Sequence, residues 1–207
     1  MSPNSGYGIN AISPNGVGTT NVSIGWGSML ERIKIWGGGE GSWCIKLENP
    51  NAVTFRDISL TSLGAGCLWM YQTDSKYNRG DCVFNGKNDF KCNTADSIGL
   101  LFSRGGAAVG VDKKINIIKS DGLITVLGQE MYANTTGIWA ENLKCSTFEG
   151  LHFEYLETAI YGNYLEDCIF EGDFLYCSAA GTTLINCTSH SFKNIFRDFY
   201  FSSSGTN

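Results

Sequence analysis

Two stretches of the chain follow one pattern: residues 143–150 read LKCSTFEG and residues 165–172 read LEDCIFEG. Leu143 and Leu165 open the two stretches, and Phe148 and Phe170 hold the same place within them. A repeating unit of about 22 residues is too short to enclose its own hydrophobic core, so repeats of this kind fold by stacking on one another. The pattern therefore predicts a solenoid.

Shorter relatives of the pattern recur along the chain, at residues 30–35, 53–58, 81–86 and 184–189. A second series of short alternating segments lies between them. Its apolar positions are Ile45, Leu68, Leu100, Ile138 and Ile160. Alternation of apolar and polar residues is typical of strands, so the two series together predict coils made of short strands and turns.

This organisation predicts an all-β fold: a right-handed parallel β-helix with coils of about 22–25 residues. We expect an irregular segment or first partial coil over residues 1–28, the β-helix over residues 29–192 and a tail over residues 193–207. The coil from Ser97 to Thr135 is longer than its neighbours. Residues 105–113 or 128–134 are therefore expected to leave the tube as one loop, and solenoids commonly carry function on such insertions.

The amino-acid composition favours short strands and excludes some kinds of binding partner. Among 207 residues, 43% are hydrophobic, only 17% are charged, and glycine (26) far outnumbers proline (3), which favours short strands and tight turns. The net charge of −5 and the scattered Lys and Arg residues provide no basic surface, so no nucleic-acid partner is expected. No apolar stretch approaches the roughly 20 residues of a membrane-spanning helix, and the first residues lack the features of a secretory signal, so no membrane insertion is expected.

The cysteines show neither metal-ligand spacing nor a compact disulfide framework, and we interpret them mostly as small buried hydrophobic residues. They are Cys44, Cys67, Cys82, Cys92, Cys145, Cys168, Cys177 and Cys187. No Asp-rich cluster of the calcium-binding type and no Cys/His set with zinc spacing is present. The sequence therefore implies no metal and no cofactor.

The alternation of Gly-Ile-x-x with Leu-x-x-Cys-x-Phe-x-Gly over residues 29–192 resembles the pectate-lyase-like β-helix superfamily, which includes bacteriophage tailspikes. The resemblance is a pattern of core positions and carries no catalytic signature. For the phage-like members it implies parallel homotrimers in which one sheet of each chain packs toward the three-fold axis.

Glu149 and Glu171 are the candidate catalytic pair, because stacked coils place equivalent residues about 4.8 Å apart. His190 joins them on the next coil if Cys187 aligns with Cys168. Two carboxylates one rung apart repel each other, so that one can act as an acid while the other stays ionised, and retaining glycosidases use a spacing of about 5 Å. The alternative is that both glutamates extend into water at a turn and His190 is a surface residue.

Trp69, Trp139 and Tyr161 are predicted to form an outward row, together with Lys46 and Leu101, if the apolar positions of their series point inward. An exposed aromatic row calls for a partner. Flat rings offer apolar faces to the C–H groups of sugars, so the row could bind an oligosaccharide. It could equally be a subunit interface or be covered by a partner or a loop. The sequence also allows the side chain of Trp69 to point inward.

The sequence favours a segment of a viral, phage-like tail spike or fibre that recognises cell-surface polysaccharide, located in the virion. The first alternative is a secreted glycan-degrading enzyme on a β-helix, either a glycoside hydrolase or a polysaccharide lyase. The second is a purely structural trimeric shaft. The three hypotheses differ in whether the chain binds a glycan, cleaves it or does neither.

Overall fold

The structure is a computed structural model, and it describes residues 9–11, 27–48, 50, 52–71, 79–103, 114–129, 131–141, 143–177, 183–188, 191 and 193–203. The first ten strands are β1 (Ile9–Ala11), β2 (Met29–Glu31), β3 (Lys34–Gly37), β4 (Trp43–Glu48), β5 (Val53–Arg56), β6 (Ser59–Ser62), β7 (Gly66–Tyr71), β8 (Arg79–Cys92), β9 (Ile98–Ser103) and β10 (Lys114–Leu127). They are followed by β11 (Thr136–Ala140), β12 (Leu143–Lys144), β13 (Thr147–Leu156), β14 (Thr158–Gly162), β15 (Leu165–Glu166), β16 (Ile169–Cys177), β17 (Thr183–Cys187), β18 (Ile195–Arg197) and β19 (Tyr200–Ser203). Within these ranges the chain forms strands and turns and no helix.

The strands form two parallel sheets. The first sheet has the order β1-β4-β7-β9-β11-β14-β17, and the main path of the second has the order β18-β16-β13-β10-β8-β5-β2. Along the chain, each strand of the first sheet is followed by one or two strands of the second, and strands pair with those of the neighbouring coil. The protein is therefore an all-β solenoid of stacked coils, as the repeats predicted.

The inward column of the first sheet confirms the predicted register. Direct pairing joins Ile45 to Leu68, Leu68 to Leu100, Leu100 to Ile138 and Ile138 to Ile160. These five side chains are at most 1% exposed. Stacking removes both faces of each side chain from water, and this burial supplies most of the stabilisation that a short coil lacks on its own.

The second sheet bends at a column of residues with positive φ. Asp57, Gly86, Gly122 and Gly150 have φ values of 54°, 67°, 136° and 66°. A Cβ at Gly122 would overlap the Gly86 backbone, and a Cβ at Gly150 would overlap the carbonyl oxygen of Gly122. Glycine is needed here because the bend combines a left-handed conformation with close backbone stacking.

Aromatic rings fill the tube beneath the second sheet. Phe55 and Phe84 stack with ring centroids 4.8 Å apart, and Phe148, Phe170 and Phe196 form a second stack on successive coils. Phe148 and Phe170 hold the same place in the repeat, and the stacking of coils puts one ring on the other. The third ring, Phe196, comes from β18, which lies in the segment predicted as a tail, so stacking continues past residue 192.

The assignment of residues 184–189 to the LKCSTFEG pattern is wrong. Cys187 on β17 pairs with Gly162 in the first sheet, not with Cys168 in the second, and its side chain is exposed. Cys145 is also exposed, at a turn residue with φ 49°. The prediction of buried cysteines is confirmed for a larger set: Cys44, Cys67, Cys82, Cys92 and Cys168.

Coil length varies more than predicted. The steps from Ile138 to Ile160 and from Ile160 to Ile185 keep the predicted coil length. The steps from Leu68 to Leu100 and from Leu100 to Ile138 are both clearly longer, so two coils are extended, not one. Of the two candidate loops, residues 105–113 lie outside the described residues, and the described residues 128, 129 and 131–134 lie between β10 and β11 outside any strand.

Candidate functional site

The outer face of the first sheet carries the predicted aromatic row. The pairing runs from Lys46 to Trp69, Leu101, Trp139 and Tyr161 on successive strands. Their chain neighbours at the inward positions are buried, so these side chains point outward, and Trp69 is not in the core. Asn186 continues the row next to Tyr161.

At one end of the row a lysine lies against two aromatic rings. The Lys46 Nζ is 3.8 Å from the centroid of the Trp69 ring and 5.2 Å from that of Tyr71. The Trp69 Nε1 donates a hydrogen bond of 2.7 Å to the Ser103 Oγ, and the Tyr71 hydroxyl lies 3.3 Å from Glu48 Oε2. The indole is thus oriented by one hydrogen bond and covered on one side by a cation.

At the other end the rings of Trp139 and Tyr161 meet at a centroid distance of 4.8 Å and an angle of 58°. The Trp139 Nε1 is buried and has no hydrogen-bond partner among the described residues. Buried N–H groups normally have a partner, and because this one is covered by protein atoms a ligand reaches it only after a neighbouring side chain moves. The Trp139 half of the row therefore offers mainly apolar surface.

Two aromatic residues beside the row were missed. Trp43 packs on Trp69 with centroids 5.5 Å apart, and Tyr71 does so at 5.1 Å. Tyr71 stands two residues after Trp69, so strict alternation along a strand could have placed it on the same face. Trp43 could not be found in that way, because both Cys44 and Ile45 are buried and the alternation is interrupted there.

The predicted carboxylate ladder is interrupted by a bulge. Phe148 pairs with Phe170, but the next paired residues are Leu151 and Gly172, so Glu149 and Gly150 together lie opposite Glu171. Such a bulge adds one residue to one strand and redirects the side chains beside it. The two glutamates therefore do not form the regular rung-to-rung pair that the repeat predicted.

The partner of Glu171 on the next coil is an arginine. Arg197 pairs with Glu171, and its Nε donates a hydrogen bond of 2.7 Å to Glu171 Oε2. The condition for placing His190 there fails, because Cys187 lies in the other sheet. His190 itself lies outside the described residues.

Arg197 also changes the electrostatic environment of Glu149 and Glu171. The hydrogen bond and negative charge of Glu171 raise the pKa of the Arg197 guanidinium, and the charge of Glu149 contributes in the same direction. Both carboxylates therefore lie near one cation. Glu171 is held in an ion pair with Arg197 in place of the carboxylate pair that the repeat predicted.

A groove lies where the second sheet ends and the chain turns back to the first, beside one of the two candidate loops. It has a volume of about 530 Å³ and is lined by Lys91, Leu127, Gly128, Gln129, Met131, Glu154 and Tyr155. One wall is formed by Gly128, Gln129 and Met131 of the longest coil. Next to the groove, His152 on β13 has its Nε2 2.9 Å from Glu154 Oε1 and its Nδ1 3.1 Å from Asp173 Oδ1.

Within the described part of the chain, no group of three or more His, Cys, Asp or Glu residues has a geometry that could hold a metal ion. No helix there is long and apolar enough to cross a membrane.

Comparisons of the chain with protein-family models, with curated proteins and with solved structures found no match.

Proposed function

We propose that this chain is the polysaccharide-recognising segment of a viral tail spike or tail fibre, built as a right-handed parallel β-helix of the pectate-lyase-like type. The sugar chain binds along the outward row of the first sheet. The observation that carries the proposal is the register that sets Trp69, Trp139 and Tyr161 on one face of stacked coils. A row along the solenoid axis offers repeated ring contacts to a polymer with a repeating structure.

Polar groups at the ends of the row suit a sugar ligand. Lys46 and Glu48 lie at one end of the row, and Asn186 lies at the other. Sugar sites combine apolar surface with a few placed polar groups, and the row has this combination.

A spike of this type is expected to be a homotrimer in the virion, with the sugar row facing outward. Light scattering of the purified chain measures the mass in solution. A trimer that persists in Trp139→Ala supports the proposal. A trimer that Trp139→Ala dissociates into monomers would make the row the subunit interface and contradict it.

The decisive test is glycan binding by wild type and Trp139→Ala on a panel of surface polysaccharides. We expect the variant to lose about tenfold or more in affinity, because a loss of about 1.4 kcal/mol corresponds to tenfold. Trp36→Ala is the matched control, since Trp36 is 71% exposed and lies on β3 in the other sheet. Equal binding by all three proteins would refute the sugar row, and an absence of binding by wild type would favour a structural shaft.

A further inference from the structure

The groove at the turn of the longest coil has opposite charges at its two ends. Lys91 pairs with Leu127, and Leu127 pairs with Glu154, so the three residues lie on successive rungs. Their chain neighbours Phe90, Val126 and Phe153 are fully buried, which directs Lys91, Leu127 and Glu154 outward. The backbones of the lysine and the glutamate are therefore separated by two strand spacings, about 10 Å.

Polar groups in the groove have unused hydrogen-bonding capacity. Lys91 Nζ makes no ion pair with another described residue. Glu154 uses Oε1 to contact His152, and that contact leaves its second oxygen facing no described partner. Gln129 donates through Nε2 to Asn93 Oδ1, two residues after Lys91, so its amide is held on the Lys91 side of the groove. The groove thus presents the Lys91 cation at one end and an acceptor oxygen of Glu154 at the other.

Apolar surface lies between these groups. Leu127 forms the floor, and Met131 and Tyr155 flank it with exposures of 74% and 38%. A ligand that matches the groove has an anion for Lys91, a donor-rich cation for Glu154, and an apolar portion between them. A neutral sugar lacks both charges, and an acidic sugar lacks the cation.

We propose that this groove binds a short peptide with free termini. Its carboxylate pairs with Lys91, its ammonium group donates to Glu154, and an apolar side chain packs on Leu127, Met131 and Tyr155. An extended chain advances about 3.3–3.6 Å per residue, so three residues bridge the roughly 10 Å between the charged ends. His152 acts as a positioning residue that holds Glu154. The site is separate from the aromatic row and does not depend on the sugar proposal.

The test is an NMR titration of the full chain with the tripeptide Ala-Leu-Ala in four forms: free termini, N-acetylated, C-amidated and doubly blocked. We expect the free form to shift groove resonances, and each block to weaken binding by about tenfold, as charge-assisted hydrogen bonds are lost. Equal binding of all four forms, or no shift with the free form, would overturn the proposal. So would shifts with neutral or acidic oligosaccharides in place of the peptide.

Two variants test which residue of the groove binds each end of the peptide. Lys91→Met should remove the penalty of C-amidation while keeping that of acetylation, and Glu154→Gln should do the reverse. Lys87→Met is the matched control, because Lys87 lies on the same strand, paired with Asp89 at 3.7 Å and away from the groove lining. If Lys87→Met weakens binding as much as Lys91→Met does, attraction is nonspecific and the site is refuted. Trp139→Ala should leave peptide binding intact, which separates failure here from failure of the sugar row.

Discussion

The ring of Phe170 lies parallel to the ring of Phe148 on the preceding coil, with centroids 5.2 Å apart and an interplanar angle of 6°. On its other side Phe196 stacks at 5.0 Å and 7°. Phe170 is fully buried, so each of its faces is covered by another ring. This column links the last coils of the solenoid.

We therefore expect Phe170→Ala to lower the free energy of unfolding by about 3–5 kcal/mol, because it removes buried apolar surface and leaves a cavity between two rings. Urea denaturation followed by circular dichroism measures the change. Phe201→Ala is the control, since Phe201 is 53% exposed, and it should change stability far less. Similar losses in the two variants would show that the column is not a core element.

Two glycines with nearly equal φ allow the stability cost of backbone strain to be measured apart from the cost of crowding. Gly150 has φ 66° and stacks on the carbonyl oxygen of Gly122, whereas Gly41 has φ 72° and open space where a Cβ would stand. Alanine at either position adopts a left-handed conformation at a cost of roughly 1–2 kcal/mol. Gly150→Ala should cost about 1–3 kcal/mol more, because it also crowds the next coil. Thermal and urea unfolding of the two variants compare these costs directly, and equal destabilisation would contradict the close stacking at the bend.

Burial raises the pKa of the Cys168 thiol from 9.0 to about 11. The unfolded thiol loses its proton at lower pH than the folded one, so this contribution to stability is complete below pH 9 and is lost as pH rises toward 11. Two pKa units correspond to about 3 kcal/mol. Wild type should therefore lose about that much more stability than Cys168→Ala between pH 8 and 11.

Urea unfolding at several pH values measures the effect, and other ionisations cancel in the comparison. Cys145→Ala serves as the reference for an exposed cysteine and should follow the wild-type curve. Parallel curves for wild type and Cys168→Ala would show that the thiol is not protected from water.

Glu171 forms an ion pair with Arg197. A substitution of Glu171 distinguishes the binding hypothesis from the hydrolase hypothesis. Under the binding proposal, Glu171→Gln leaves polysaccharide affinity unchanged, and wild type releases no products from the same polysaccharide. Product analysis by mass spectrometry, together with binding measurements, checks both parts. Release of shorter glycans by wild type that stops in a folded Glu171→Gln protein would instead establish a glycosidase.

The position of Arg197 could not have been derived from the repeat. The β16 strand pairs with β18, but the chain between them makes a β17 strand that the sequence assigned to the LKCSTFEG pattern of the second sheet, while its pairing is with the first sheet. Local pattern does not distinguish the two sheets, because both bury alternate apolar residues. The sheet that such a strand joins depends on which positions of the coil the strands before it have already taken.

The sequence by itself determined the all-β solenoid and the inward column from Ile45 to Ile160, and it predicted the outward row at Trp139 and Tyr161, whereas the structure decided the phase at Trp69. The equal spacing of these coils also places Lys144 opposite Glu166, where the two form an ion pair with a distance of 2.9 Å. These features depend on alternation within a strand and on equal spacing between coils, both of which are local. The tertiary structure decided the bulge beside Glu149, the arginine opposite Glu171 and the groove between Lys91 and Glu154. Each of these arises where coils differ in length or register, and the pairing of distant segments is then fixed by packing, not by the repeat.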